Sequence, residues 1–203
     1  MMSAATTEAH FPDRCPVALV LIDLINDFGF EGGHTLQVQA VALIEPIATL
    51  KRTAQQHHVP VIYANDNFGR WRSDFRQAVQ RCLADDCLGK PLAERLQPDE
   101  NDYFVLKPKY SAFFGTTLEV LLKHLGTDTL ILTGIAGDMC IAFTAGDAFM
   151  RGYRLFVPAD GIASIDPREN AQALRYFERV LKADTRPSTA LSALLPRLKV
   201  ASS

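Results

Sequence analysis

The amino-acid sequence predicts a doubly wound α/β domain, in which helices cover both faces of a mostly parallel sheet. Short apolar runs that do not alternate with polar residues are typical of strands buried on both faces. Stretches with helical spacing of apolar residues lie between these runs. The chain has 203 residues, of which 48% are hydrophobic, enough for one well-buried domain and short for two. We therefore expect a loose N-terminal arm over residues 1–14 and a single domain over residues 15–203.

Five apolar segments are the predicted strands. Valine, isoleucine, leucine and aromatic residues dominate them, as expected for strands. The segments are VALVLI at 17–22, VPVIYA at 59–64, YFVLK at 103–107, TLILTG at 129–134 and YRLFVP at 153–158. We also expect a last strand near residues 183–186.

Four stretches between these strands are predicted to be helices. Apolar residues at helical spacing indicate helices over 35–56, 116–125, 139–151 and 168–182. Gly126 is a natural stop for the second helix, and the PREN sequence at 167–170 is a suitable start for the fourth because proline is tolerated in a first turn. The charged stretch from about 65 to 102 is far longer than an ordinary connection, and long excursions of this kind often build pockets.

Composition argues against several classes of partner. The formal net charge is −2 and the basic residues are scattered, so we expect no nucleic-acid partner. We find no apolar run long enough to span a bilayer and no signal peptide in the first 14 residues. Four cysteines are too few for a disulfide scaffold, so we expect a cytoplasmic protein with free thiols. The sequence contains neither a dinucleotide-binding glycine motif after the first strand nor a P-loop lysine, and we predict no cofactor.

Several polar residues follow predicted strands, where parallel sheets bind their ligands. Asp23 follows the first strand, Asn65 the second, and Lys107 ends the third. Cys140 follows the loop GIAGDM after the fourth strand. Because ligands bind beyond the carboxyl ends of parallel strands, a carboxylate, an ammonium and a thiol are expected to converge there.

The three groups Asp23, Lys107 and Cys140 make a coherent nucleophilic site. We place Cys140 at the start of a helix, where free backbone N–H groups and the helix dipole favour an anion, and a nearby Lys107 favours it further. Asp23 can accept the thiol proton and return it to a leaving group. Each residue also has a structural interpretation: Cys140 as a small core residue, Asp23 as a helix cap or turn former, and Lys107 as a solvated lysine.

Five motifs extend along most of the chain. They are VLIDLINDF at 20–28, YANDNFGRW at 63–71, LKPKYSAFFGT at 106–116, TGIAGDMCI at 133–141 and TAGDAFMRGY at 144–153. With these motifs the sequence resembles the isochorismatase-like cysteine hydrolases, in particular an amidase branch related to N-carbamoylsarcosine amidase. The resemblance covers roughly residues 15 to 186, and the motifs follow the order found in that family.

The resemblance implies a six-stranded, Rossmann-like three-layer fold and a catalytic triad of Asp23, Lys107 and Cys140. It also implies a cis peptide bond between Ile135 and Ala136, which would aim the N–H of Ala136, together with that of Cys140, at an oxyanion. In related amidases the cysteine attacks a carbonyl, forms a thioester and releases an amine, and water then frees the acid. Homologous proteins usually form dimers or tetramers, so a homo-oligomer is expected.

Two departures from the family narrow the predicted activity. Nicotinamidases of this family bind a metal through an Asp-x-His pair after the second strand, whereas this chain has Asp66, Asn67 and Phe68 there. We therefore predict no metal and no nicotinamidase activity. True isochorismatases, which cleave a vinyl ether, tend to lack the cysteine, so the presence of Cys140 favours covalent amide chemistry.

A substrate pocket is predicted from residues near the strand ends: Asn65, Phe68, Trp71, Tyr110 and Phe113. Aromatic side chains with nearby arginines suit a small amide or ureide with a flat or anionic part. As alternatives, Trp71 and Phe113 are core or interface residues, and Asn65 forms a turn.

The sequence thus predicts a hydrolase that cleaves a small amide or ureide C–N bond through a thioester on Cys140. Two alternatives stay open. One is a vinyl ether hydrolase that uses Asp23 as an acid. The other is a non-catalytic or redox-sensing protein, which would need Cys82 or Cys87 close to Cys140 as a resolving partner.

Overall fold

The computed structural model of the chain describes residues 14–67 and 74–200. The predicted N-terminal arm lies outside this part apart from Arg14, so its looseness stays a prediction. Strands and helices alternate along most of the described chain. In order they are β1 Val17–Ile22, α1 Gly33–Val41, α2 Ile44–Gln56, β2 Val61–Asp66, α3 Phe75–Cys82, α4 Lys90–Arg95, β3 Tyr103–Lys107, α5 Leu118–Leu125, β4 Thr129–Ile135, a π-helical turn Gly137–Ile141, α6 Ala142–Met150, β5 Arg154–Phe156, β6 Ile162–Ala163, α7 Pro167–Arg179 and α8 Ser188–Val200.

The described strands form one parallel sheet in the order β3-β2-β1-β4-β5, and β6 pairs with the carboxyl end of β4. The central pair runs from Val17 opposite Thr129 to Ile22 opposite Gly134. Because all these pairs are parallel, the carboxyl ends of β1, β2, β3 and β4 meet at one edge. The predicted six-stranded fold is confirmed.

Helices cover both faces of the sheet, and β1 shows why its sequence does not alternate. Val17, Leu19 and Leu21 pack into one apolar core, with residues from α1, α2, α3, α4 and α8. Ala18, Val20 and Ile22 point to the opposite face and pack with residues from α5, α6 and α7. Every residue of β1 is buried, which a strand covered on both faces requires.

The helix predicted over residues 35–56 is two helices, α1 and α2, with a break at Ala42 and Leu43. Pro46 lies in the first turn of α2. Its nitrogen has no proton to donate to the carbonyl of Ala42, four residues earlier, so a continuous helix would lose a hydrogen bond there. Proline in a first turn has no such cost, which suits a new helix beginning at Ile44.

Several further elements differ from the sequence prediction. The strand expected near residues 183–186 is a single bridge between Phe156 and Asp184. The helix predicted from residue 139 begins earlier, in the π-helical turn. The short strand β6 and the helices α3, α4 and α8 were not predicted. Within the described residues, every helix is too short or too polar to cross a bilayer.

Candidate active site

The side chains of Asp23, Lys107 and Cys140 meet at the carboxyl edge of the sheet. The Nζ atom of Lys107 lies 2.8 Å from Oδ2 of Asp23 and 3.4 Å from Sγ of Cys140, to which it donates a hydrogen bond. All three residues are buried. The ammonium therefore lies between a carboxylate and a sulfur atom, away from bulk water.

Asp23 is held by its neighbours in a conformation that non-glycine residues rarely adopt. Its φ angle is 54°, in the left-handed region. Its N–H donates to the carbonyl of Ala64 at 3.0 Å, and its Oδ1 accepts the N–H of Asp66 at 2.7 Å. Both partners lie on β2, so the sheet orients the Asp23 carboxylate directly.

Lys107 ends β3 and reaches past β2, which separates β3 from β1 in the sheet. The lysine side chain has no exposed surface. Its Nζ also donates to the carbonyl of Lys109 at 3.2 Å and lies 3.8 Å from Oδ2 of Asp66. A buried ammonium needs such partners because its charge loses hydration.

Two glycines bring Cys140 to this position. Gly134, at the end of β4, has a φ angle of 121°, and a Cβ there would lie 2.0 Å from the carbonyl oxygen of Ile22. A Cβ on Gly137 would lie 2.2 Å from Oδ1 of Asn170. A side chain at Gly134 would push β4 away from β1, whereas one at Gly137 would displace the Asn170 side chain from the π-helical turn.

The segment before Cys140 has an unusual backbone. The peptide bond between Ile135 and Ala136 is cis. The carbonyl of Ala136 then accepts the N–H groups of Met139 and Ile141, both at 3.1 Å. The second bond spans five residues and forms the π-helical turn, and such turns are frequent at functional sites. Cys140 thus lies within the first turn of a helical segment that continues into α6.

The charge states of the three groups are strongly coupled. Burial raises the pKa of Cys140 to about 12, and the nearby Asp23 adds to this rise while Lys107 opposes it. Burial also raises the pKa of Asp23 above its usual range, although Lys107 counteracts the rise. For Lys107, burial favours the neutral form, but Asp23, Cys140 and Asp66 together keep its pKa above the ordinary value.

The resting site therefore holds a thiol, a carboxylate and an ammonium. We expected the helix start and Lys107 to favour a thiolate, but the burial of Cys140 outweighs them. A nucleophilic role for Cys140 would require its proton to move to a nearby base, so that a thiolate forms. Asp23 is suited to this because its raised pKa makes it a stronger base than an exposed carboxylate.

Three of the predicted pocket residues lie in the described part of the chain, and their environments differ. Asn65 has no exposed surface, and its amide donates to the carbonyl of Ile25 at 2.7 Å, so it fixes the loop after β1. Phe113 is also buried, with the Arg151 guanidinium 4.8 Å from its ring centre. Tyr110 is about half exposed and its ring packs against that of Phe143 at 5.4 Å.

Among these three residues, Tyr110 is the one with a large exposed surface in the single chain. The burial of Phe113 also fits its interpretation as a core residue, and Asn65 lies on β2 and not in a turn. The place of both residues in a substrate pocket stays a prediction. Phe68 and Trp71 lie outside the described residues, and their role in a pocket stays a prediction.

The sheet separates Cys140 from the other thiols. Cys140 belongs to the core on the α5–α7 face, whereas Cys15, Cys82 and Cys87 belong to the core on the opposite face. All four cysteines of the sequence are described, and all are free thiols. A redox sensor built on Cys140 would need one of them as a resolving partner, and the intervening sheet prevents that contact.

Sequence reasoning placed Asp66 after the second strand without giving it a role, and it missed the carbonyl of Lys109; both groups contact the lysine. The signal for Asp66 was its position at the end of β2, directly opposite Lys107 in the strand register. No comparable signal identifies a backbone carbonyl. Among the described residues, no three histidine, cysteine or acidic side chains cluster as a metal ion would need, and the predicted absence of a metal stays a prediction.

The fold and the site together are those of a hydrolase built on a doubly wound α/β sheet. Comparison with known proteins identifies its family: the model of the isochorismatase domain matches residues 17–198. The chain therefore belongs to the isochorismatase family, as the sequence motifs indicated, and is a hydrolase of that family.

Three similar proteins illustrate this relationship. An uncharacterized isochorismatase family protein of Bacillus subtilis, YaaI, is 41% identical over 167 residues, which are 82% of this chain and 91% of that protein. The ureidoacrylate amidohydrolase RutB of Serratia proteamaculans is 28% identical, with coverage of 78% and 74%. The crystal structure of N-carbamoylsarcosine amidase from Thermoplasma acidophilum is 30% identical, with a TM-score of 0.65 and coverage of 85% and 96%.

Proposed function

We propose that this hydrolase cleaves the C–N bond of a small amide or ureide through a thioester on Cys140. One observation carries the proposal: the ammonium of Lys107 contacts both the carboxylate of Asp23, at 2.8 Å, and the sulfur of Cys140, at 3.4 Å. This arrangement matches a nucleophile, its base and an electrostatic partner within contact distance.

The first half of the reaction acylates the enzyme. The Cys140 proton moves to Asp23 as sulfur attacks the substrate carbonyl, and the electron pair of the C=O double bond moves to the oxygen. The N–H groups of Ala136 and Cys140 stabilise that oxyanion. The C–N bond then breaks, Asp23 gives its proton to the leaving nitrogen, and a thioester with Cys140 forms.

The second half of the reaction regenerates the thiol. Asp23, now ionised again, takes a proton from a water molecule while the oxygen of that water attacks the thioester carbonyl. When the C–S bond breaks, that proton returns to the sulfur. The products are an acid and an amine or ammonia, and no cofactor enters the balance. Lys107 stays charged throughout and stabilises sulfur whenever it carries negative charge.

The similar proteins support an amide or ureide as the substrate class. The name of RutB specifies an amidohydrolase that acts on a ureidoacrylate, and the structural neighbour is an amidase for a carbamoyl compound. Both names describe C–N bond cleavage in small molecules. The contact between Lys107 and Cys140 favours this chemistry over vinyl ether hydrolysis by Asp23 alone, because that reaction needs no nucleophilic sulfur.

A panel of primary amides and ureides, assayed for ammonia release, tests this function. We expect at least one compound to be hydrolysed by the wild-type protein and by neither Cys140→Ala nor Asp23→Asn. Cys140→Ser is the matched variant, because it replaces the thiol by a hydroxyl group of similar size. It should be strongly impaired, since a serine hydroxyl needs a stronger base than Asp23 to become a nucleophile. Hydrolysis by Cys140→Ala at the wild-type rate would contradict the proposal.

We further propose that the protein is a cytoplasmic homo-oligomer, a dimer or a tetramer. Support comes from several large apolar side chains on α6 and near it that are exposed in the single chain. They are Tyr110, Phe114, Phe143 and Met150. Sedimentation equilibrium gives the mass directly, and a monomer at micromolar concentration would contradict this part of the proposal.

A further inference from the structure

Asp66 lies beside the catalytic groups without belonging to the predicted triad. It ends β2 and pairs in register with Lys107, which ends β3. Its Oδ2 lies 3.8 Å from Nζ of Lys107, and its backbone N–H donates to Oδ1 of Asp23. The Asp66 side chain is 31% exposed, whereas that of Asp23 is 7% exposed. Lys107 therefore lies near two carboxylates, of which that of Asp23 is buried and that of Asp66 is partly exposed.

The proposed reaction creates a charge problem at Lys107. At rest, the buried ammonium contacts the ionised Asp23. During acylation, Asp23 holds the proton taken from Cys140 and is neutral. Once sulfur has bonded to the substrate carbon, sulfur carries no charge either. At this stage neither Asp23 nor sulfur carries a negative charge beside Lys107, although a buried ammonium without a nearby negative charge is strongly disfavoured.

We propose that Asp66 is a positioning residue that supplies a constant negative charge to Lys107 while Asp23 holds the proton. This inference rests on the proposed function. The partial exposure of the Asp66 side chain reduces the desolvation cost of a charge there, in contrast to the buried Asp23. The same charge helps to hold the ammonium in place. The ammonium also contacts Asp23, the sulfur of Cys140 and the carbonyl of Lys109.

Kinetic measurements can distinguish an action of Asp66 through Lys107 from direct binding of the substrate by Asp66. A residue that acts on the lysine should affect kcat and the pH at which Lys107 loses its proton. A residue that only binds substrate should affect KM. A purely structural residue should affect protein stability and leave the pH profile of the remaining active enzyme unchanged.

The first test compares Asp66→Asn with wild type, using an amide that the wild-type protein hydrolyses. We expect kcat to fall about 10- to 100-fold with KM within about threefold, and the alkaline limb of the kcat profile to move to lower pH because Lys107 loses its proton more easily. Asp66→Glu keeps the charge and should restore the alkaline limb. Glu169→Gln removes a carboxylate elsewhere and serves as the matched control.

A second test needs no substrate. The rate of alkylation of Cys140 by iodoacetamide is followed against pH by peptide mapping. Asp66→Asn should shift this profile to lower pH, by about half a pH unit, because Asp66 no longer competes with the thiolate for the ammonium. The Glu169→Gln profile should coincide with that of wild type.

The outcomes separate this inference from the proposed function. A shifted alkylation profile in a protein that hydrolyses no amide would support the coupling of Asp66 to Lys107 and count against the amidase function. Hydrolysis by wild type, with kcat, alkaline limb and alkylation profile all unchanged in Asp66→Asn, would overturn the inference alone. A rise in KM with unchanged kcat would also overturn it, since Asp66 would then contact the substrate.

Discussion

Lys107 contacts Asp23 although their strands are not neighbours in the sheet. The two side chains lie 2.8 Å apart, and β2 runs between β3 and β1. The lysine reaches past β2 at the carboxyl edge of the sheet, where doubly wound sheets bind their ligands. Because this ion pair is almost fully buried, its loss has consequences for stability as well as for activity.

Lys107→Met should destabilise the protein in a pH-dependent manner. Without the ammonium, Asp23 is a buried carboxylate with no counter-charge, and breaking such a pair costs about 3 kcal/mol or more. The loss raises the pKa of Asp23 further. The folded state then binds more protons than the unfolded state between the ordinary aspartate pKa of about 4 and that raised value, so stability falls as pH rises through this interval.

Urea unfolding at pH 5 and pH 8 measures this effect. The deficit of Lys107→Met relative to wild type should be smaller at pH 5, where Asp23 is protonated more readily. Lys123→Met removes an exposed partner of Glu119 and should leave stability close to that of wild type at either pH. An equal deficit of Lys107→Met at both pH values would contradict a role for Asp23 in this dependence.

Asp23→Asn should separate thiol ionisation from catalysis. Asp23 raises the pKa of Cys140, second only to burial, so its neutralisation should move the alkylation of Cys140 by iodoacetamide to lower pH. In wild type the rate should still be rising at pH 10, whereas an ordinary thiol with a pKa of about 8.5 would approach a plateau.

Amide hydrolysis by Asp23→Asn should nevertheless be lost, because the asparagine cannot carry the proton to the leaving nitrogen. Peptide mapping distinguishes Cys140 from the three thiols of the other core. An Asp23→Asn protein that is alkylated only at higher pH than wild type would show that Asp23 does not oppose the thiolate.

Gly134→Ala should destabilise the fold, since both the backbone conformation and the available space require glycine. The φ angle is 121° and the new Cβ would lie 2.0 Å from the carbonyl of Ile22. We expect a loss of more than about 2 kcal/mol. Gly146→Ala is the matched control, because a Cβ at this position in α6 meets no atom within 4 Å in the described structure.

The control should gain roughly 0.5–1 kcal/mol from the better helix propensity of alanine. Chemical denaturation of the two variants compares them under identical conditions. Similar stabilities for Gly134→Ala and wild type would mean that β4 can move away from β1 at little cost.

Phe113→Ala and Tyr110→Ala should behave in opposite ways. Phe113 is buried beneath Arg151 and next to Tyr153, so its truncation should cost about 3–5 kcal/mol of stability. Tyr110 is about half exposed, and its truncation should cost less than about 1 kcal/mol while raising KM if the ring lines the substrate pocket. Unfolding curves measure the loss of stability in each variant, and steady-state kinetics measure KM. An unchanged KM in Tyr110→Ala would show that Tyr110 does not line the substrate pocket.

Much of the fold is predictable from the sequence because strands have a distinctive composition, rich in β-branched, leucine and aromatic residues. The segment VALVLI, which is buried on both faces, matches β1 residue for residue. The segment YFVLK matches β3 residue for residue, although β3 is a partly exposed edge strand. By contrast, β6 has two residues, too few to form a recognisable pattern. The break between α1 and α2 depends on Pro46, whose effect was overlooked because the apolar spacing continues across it.

The site was predictable where it depends on strand ends and unpredictable where it depends on side-chain direction. Asp23, Lys107 and Cys140 follow from the rule for parallel sheets. Asn65 and Asp66 are neighbours on β2, and alternation along a strand sends them to opposite faces. Ala64 packs in the same core as Cys140. Asp66, two residues further along the strand, points to that face, whereas Asn65 does not. Phe113 lies in a loop, where no periodicity indicates whether a side chain is buried.

The most direct test of the nucleophilic role of Cys140 is the mass of the protein during turnover. Wild-type protein is mixed with a hydrolysed amide or ureide, quenched in acid within milliseconds, and digested for peptide mapping. The account predicts an added acyl group on the peptide that contains Cys140, absent in Asp23→Asn and Cys140→Ala. Turnover without any adduct, together with wild-type activity in Cys140→Ala, would contradict it.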